Sequence, residues 1–251
     1  MGKIIAVVNQ KGGVGKTTTA VNLTAALTEA GKKVLLCDFD PQANATSGLG
    51  IDKRKLKHSV YDVVINEEPV ESAIITTKFG DVLPASSELA GAAVELISME
   101  DPNRRLARAL QAVKAKYDII FIDCPPSLEL LTINGLAAAD GILVPVQCEY
   151  YALEGLSDLM NTLRIVKKRI NPNLEIFGVA LTMFDGRTNF STQVAQEVRK
   201  HFPGKVFASV VPRNVRLAEA PSHGLPVTVY DRLSRGAAAY RDMAAEIKKK
   251  L

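Results

Sequence analysis

The sequence predicts a single α/β domain spanning residues 1–251, with a mostly parallel β-sheet covered by helices on both faces. Three observations carry this. Short β-branched apolar runs alternate with longer segments of helical periodicity, as right-handed βαβ crossovers require. The runs are apolar at every position, as in strands buried on both faces. No Pro/Gly/Ser-rich linker, internal repeat or low-complexity tract divides the 251 residues, a length that suits one large domain.

Residues 4–8 (Ile-Ile-Ala-Val-Val) form the first predicted strand. A glycine-rich turn follows, and then Ala20, Leu23 and Leu27 recur at helical spacing up to Gly31, a helix stop. Residues 34–37 are the second strand. Residues 43–100 have the least regular pattern and predict loops and short helices. Residues 106–113 read as a helix, and 119–122 and 142–144 as strands. Over residues 153–170, Leu153, Leu156, Met160, Leu163 and Val166 or Lys167 trace one helical stripe. Residues 176–183 and 206–211 complete the strands, and a last helix runs from about Gly236 to Lys250.

Apolar residues make up 47% and charged residues 23%, which excludes a disordered or fibrous chain. No apolar run approaches the roughly 18 residues of a membrane span, and the N-terminal run is too short for a signal peptide, so a cytoplasmic protein is expected. Cys37, Cys124 and Cys148 are far apart with no Cys-x-x-Cys, which argues for buried thiols rather than disulfides or a metal cluster. The net charge of +4 hides an asymmetry. Residues 1–163 hold 15 basic and 20 acidic side chains, net −5, and residues 164–251 hold 16 and 7, net +9. That basic third is a candidate polyanion surface, with solvated helix faces as the simpler reading.

The strongest chemical signal is Lys11-Gly12-Gly13-Val14-Gly15-Lys16-Thr17-Thr18, which follows a buried strand and opens a helix. Glycines let backbone N–H groups turn inward around an anion, and the helix N-terminus adds partial positive charge. Lys16 would reach the terminal phosphates and the Thr17 hydroxyl would bind Mg²⁺. The general phosphate-loop pattern has Gly where this chain has Gln10, followed by an extra lysine, Lys11. Asp38 and Asp40, two apart at a strand end, leave one face and suit Mg²⁺ and water better than a core. Asp123, after four apolar residues, is placed to hold Mg²⁺ through water, with a helix N-cap as the simpler role.

This loop resembles the deviant Walker A motif of the ParA/MinD family of ATPases. Residues 35–44 (Leu-Leu-Cys-Asp-Phe-Asp-Pro-Gln-Ala-Asn) look like that family's Walker A′ segment, and 120–127 like its Walker B. Residues 147–155, 212–216 and 219–224 resemble the chromosomal ParA, or Soj, branch. The resemblance implies a P-loop NTPase-like fold, ATP and Mg²⁺ as cofactors, and an ATP-dependent homodimer. It implies that Lys11 crosses the dimer interface to the partner's nucleotide with Gly12 at the closest approach, and that Asp40 positions the attacking water. By the same resemblance, Asp38 lies near the Mg²⁺ shell, Pro212 and Asn214 contact adenine, and Glu149 lies near the nucleotide across the interface. Arg187 and Arg216 match positions that bind double-stranded DNA non-specifically, and a ParB-type centromere-binding protein would trigger hydrolysis. The implied role is chromosome or plasmid partitioning on the nucleoid.

Three other readings share parts of the pattern. A MinD-like membrane-positioning ATPase would need large apolar residues on its last helix, whereas here that face is mostly alanine, so no stable membrane association is expected. An iron–sulfur carrier would need paired cysteines. A nucleotide-gated transcription factor would share the same sites.

Overall fold

The computed structural model describes residues 2–149 and 152–251. Tyr150 and Tyr151 of the 147–155 segment lie outside the described residues, as does the Leu153 side chain of the predicted stripe.

The chain begins with β1 (Lys3–Val7), α1 (Lys16–Glu29) and β2 (Val34–Asp38). Three short helices follow, α2 (Asn44–Gly48), α3 (Val60–Val64) and α4 (Val70–Ala73), then β3 (Ile75–Thr77) and β4 (Gly80–Leu83). Next come α5 (Leu89–Ile97), α6 (Arg105–Val113), β5 (Ile119–Asp123), α7 (Leu130–Ala138) and β6 (Gly141–Gln147). The last part holds α8 (Ala152–Arg169), β7 (Glu175–Thr182), α9 (Asn189–His201), α10 (Val215–Glu219), α11 (Val227–Tyr230) and α12 (Arg235–Lys248).

Among the described residues the strands form one sheet in the order β3-β4-β2-β5-β1-β6-β7. Every pairing is parallel except β3 with β4. β5 is the middle strand with β1 beside it, and the chain leaves β1 toward β2 but leaves β5 toward β6, so the C-terminal ends of β1 and β5 flank a switch point, the usual ligand position in such sheets.

Alternating strand residues supply two cores. Ile5, Val7, Leu36 and Phe121 pack with Leu23 and Leu27 of α1 and with Tyr240, Met243 and Ile247 of α12. On the other face Ile4, Ala6, Leu35 and Ile122 pack with Leu110 of α6, Leu136 of α7 and Leu159 of α8. In α8 the buried stripe is Leu156, Leu159, Leu163 and Val166, with Met160 at its margin.

Two expectations are corrected. Residues 43–100 are not only loops and short helices, since they contribute β3 and β4. Strands of 3 and 4 residues are too short to show a periodicity, and Gly80, at φ +123°, makes the turn between them. Residues 206–211 are not a strand. Phe207 N and Val211 N donate to Val179 and Leu181 of β7, but Ala208 N and Ser209 N donate to the Glu246 carboxylate of α12 at 2.9 and 2.7 Å. The ladder is broken where α12 takes those two donors.

Pro145 sits within β6 without loss. The β1–β6 ladder ends at Val7 and Leu143, so its missing N–H falls beyond β1, and its carbonyl accepts from Asn9 Nδ2 at 2.7 Å.

Candidate functional site

The sequence-predicted residues of the phosphate loop and the three acids gather at the C-terminal ends of β1, β2 and β5. The loop leaves β1 and is pinned from several sides. Asn9, held by Pro145, accepts from Lys11 N at 3.0 Å. Thr182 of β7 donates to the Val14 carbonyl at 2.8 Å. Gly13 and Gly15 have φ of +74° and +89°, a region side chains resist. Gly15 caps α1 without a side chain, so the first N–H groups of that helix stay open to an anion. Gly12 is exposed, and a Cβ there would meet nothing within 4 Å in this chain.

Lys16 is buried, and its Nζ donates to the Lys11 carbonyl at 3.2 Å. Burial lowers its pKa from the ordinary lysine value, while Asp123 and Asp40 act in the opposite direction. Asp38 and Asp123 are register partners on β2 and β5, and both are fully buried. Asp38 Oδ2 accepts from Thr46 N and Thr46 Oγ1, each at 2.7 Å, and Oδ1 accepts from Asp40 N at 3.3 Å. Burial raises the Asp38 pKa to about 6, against those hydrogen bonds. Asp123 differs: both its oxygens are buried and neither makes a hydrogen bond of full geometry, the Thr17 hydroxyl being the one donor near enough to act on it. Burial first, and Asp38 second, push its pKa well up, with the Thr17 hydrogen bond opposing. Asp40 is buried beside them, with Oδ1 accepting from Gln42 N at 2.9 Å.

A cavity of about 350 Å³ continues from the loop, lined by Gly15, Thr18, Met183, Pro212, Asn214 and Tyr240 among others. Pro212 and Asn214 are thus brought to the loop across the whole chain. Asn214 Oδ1 caps α10 by accepting from Arg216 N at 2.8 Å. Lys11 is half-buried, with its Nζ 3.9 Å from Glu149 Oε2, and Glu149 Oε1 accepts from Arg213 at 3.2 Å.

Arg187 and Arg216 are exposed but engaged. Arg187 holds Asp185 with two parallel bonds of 2.9 and 2.7 Å, and Arg216 pairs with Glu219 at 2.8 Å and Asp231 at 3.1 Å. The cysteines are free and buried, and burial pushes the Cys148 thiol up to about 11.

Sequence reasoning missed Asn9, Thr46 and Thr182. Asn9 could have been sought as the last polar residue before the loop. Nothing in the local pattern marks Thr46 or Thr182, which are set by distant contacts.

Asp123 and Thr17 offer hard oxygen donors suited to Mg²⁺, and among the described residues no three acidic, cysteine or histidine side chains form a protein-only metal cage. A buried lysine, an open helix N-terminus and a buried carboxylate beside a glycine loop define a P-loop nucleotide-binding protein.

The protein-family model described as "AAA domain" matches residues 2–176. The chain is 58% identical to "Sporulation initiation inhibitor protein Soj" of Bacillus subtilis over 98% of both chains. It is 50% identical to "Chromosome partitioning protein ParA" of Myxococcus xanthus, over 100% of this chain and 89% of that one. Among solved structures, a cobyrinic acid a,c-diamide synthase from Mycobacterium smegmatis with bound ADP and magnesium aligns at a TM-score of 0.86. It is 38% identical over 99% of this chain and 95% of that one. The cell division ATPase MinD of Pyrococcus furiosus aligns at 0.82, with 32% identity over 100% of both chains. The chain belongs to the ParA/MinD family of deviant Walker A ATPases, in its Soj/ParA branch.

Proposed function

We propose that this protein is a Mg²⁺-dependent ATPase of chromosome or plasmid partitioning, converting ATP and water to ADP and phosphate. The observation that carries the reading is Asp123, a fully buried carboxylate whose chain neighbours are Lys16 and the Thr17 hydroxyl of the phosphate loop. The loop N–H groups and Lys16 hold the phosphates and neutralise charge developing on them. Asp123 and Thr17 would hold Mg²⁺, which supplies charge neutralisation on the phosphate oxygens when bound. Asp40 orients the attacking water, and Pro212 with Asn214 line the space for adenine.

The relatives named for chromosome partitioning support the cellular role. The finer reading is an ATP-dependent homodimer in which Lys11 acts on the partner's nucleotide. That dimer binds double-stranded DNA non-specifically through Arg187 and Arg216 and is reset by a ParB-type partner. One observation favours DNA over a bilayer: the apolar side of α12, with Ala237, Tyr240, Met243 and Ile247, is already packed in the core. ATP turnover measured with and without DNA, and with and without a ParB-type protein, tests the reading. Synergistic stimulation is expected, and lack of any response to either addition overturns the partitioning role.

A further inference from the structure

The geometry points to Thr46 as a positioning residue for hydrolysis: we propose that it sets Asp40 in place by locking the Asp40–Thr46 loop onto Asp38. The inference rests on the ATPase reading and adds a residue that the loop and acid motifs do not include.

One carboxylate closes the whole loop. Asp38 Oδ1 accepts from Asp40 N at the start, and Oδ2 accepts from both the N–H and the hydroxyl of Thr46 at the end. The Thr46 hydroxyl also accepts from Ala85 N at 3.0 Å, just beyond β4. Thr46 is fully buried, as is each of these bonds. The loop is therefore stitched to two neighbouring strands, β2 and β4, by one hydroxyl. Between the anchor points Asp40 is held by Gln42 N on its carboxylate and by Ala43 N on its carbonyl. Ala43 takes φ +54°, a strained value for a residue with a Cβ, and such strain persists only where surroundings over-determine the backbone. Asp40 thus has its own backbone N–H tied to Asp38, and Asp38 is tied to Thr46. Loss of the hydroxyl leaves Asp38 Oδ2 with one donor, leaves the buried Ala85 N–H without an acceptor, and lets the loop shift. A shift near 1 Å in a water-positioning group costs rate rather than substrate affinity.

The test uses the full chain with Mg²⁺ and ATP. Thr46→Val keeps the branched shape and the backbone N–H but removes the hydroxyl, while Thr46→Ser keeps it. The expected result for Thr46→Val is a fall in kcat of roughly tenfold or more, with KM for ATP and half-saturation by Mg²⁺ within about twofold of wild type. Affinity for a fluorescent ATP analogue should hold equally, and Thr46→Ser should restore most of kcat. A folded Thr46→Val protein with wild-type kcat overturns the proposal, as does a loss confined to KM or Mg²⁺ half-saturation, or a Thr46→Ser variant as slow as Thr46→Val. Where Thr46→Val fails to fold, Thr46→Ala carries the test, since it removes the same hydroxyl and keeps the backbone N–H with less bulk. The same split is expected there, and wild-type kcat overturns the proposal. Wild-type protein that hydrolyses no ATP refutes the ATPase reading itself, a result distinct from all of these.

Discussion

Asp38 and Asp123 stand opposite each other in register at the ends of two parallel strands, yet Asp38 accepts short hydrogen bonds from Thr46 while neither oxygen of Asp123 meets a donor in full geometry. Neighbouring buried carboxylates disfavour joint ionisation, so their different surroundings divide the work. Asp38 is turned inward to the chain's own loop, and Asp123 keeps both oxygens for a ligand.

Replacing Asp123 by Asn should therefore stabilise the nucleotide-free protein while abolishing Mg²⁺-dependent turnover. The native carboxyl has a raised pKa in the folded state, so it disfavours folding increasingly as pH rises and not at low pH where it is neutral in both states. The variant's advantage should be absent where the carboxyl is neutral in both states and should grow through the range above the ordinary carboxylate pKa. Thermal unfolding across that range, without Mg²⁺, checks it.

Lys16→Ala should eliminate measurable nucleotide binding. The residue is the buried cation of the loop, and its removal leaves Asp123 and Asp40 without their compensating charge. Titration with a fluorescent ATP analogue should show at least about a hundredfold weaker affinity, corresponding to about 2.7 kcal/mol or more.

Asp40→Ala should bind ATP normally and hydrolyse it about 10²–10⁴-fold more slowly, the range for loss of a positioned acid–base group. On the dimer reading the variant accumulates as an ATP-bound dimer, and size-exclusion chromatography with ATP reads this directly. Hydrolysis at the wild-type rate removes Asp40 from the role.

The arginine ion pairs sharpen the DNA prediction. Arg216→Glu should keep dimerisation and lose DNA binding, with the slope of log affinity against log salt falling by about 1 for each phosphate no longer neutralised. Asp185→Asn should do the opposite to its neighbour. It releases Arg187 from a bidentate pair, and DNA affinity should rise. Filter binding over a salt series distinguishes both from an unchanged surface.

Gly178→Ala tests the packing that replaced a predicted strand. A Cβ there would crowd the Phe207 ring, so Phe207 must move and the 206–211 segment with it. Destabilisation of about 1–3 kcal/mol is expected in chemical denaturation.

Sheet, loop and acids were legible because each depends on local pattern. The β1 run, the glycine loop and the apolar run before Asp123 carry their meaning within a short stretch of chain. What stayed hidden depends on contacts far along the chain. β3 and β4 are too short for a pattern, and 206–211 has strand composition but loses two donors to Glu246, 37 residues away or more. Helices α7 and α9 were not expected, and neither they nor α5 had a stripe singled out in the sequence, although Leu89, Leu136 and Val198 reach the core. At the site, spacing placed Asp38 and Asp40 on one face but could not show that Thr46 engages Asp38. That bond exists only once Ala43 has turned the chain back.

The open space around Gly12 separates folding from assembly. Beyond its chain neighbours, no atom lies within 4 Å of where a Cβ would stand, so a side chain there starts in open space. A Gly12→Val protein should melt at the wild-type temperature, express normally and look sound by every single-chain measure. On the dimer reading its defect becomes visible only when a second protomer approaches. Stability screens are blind to such a lesion, and assays of pairing are needed to see it.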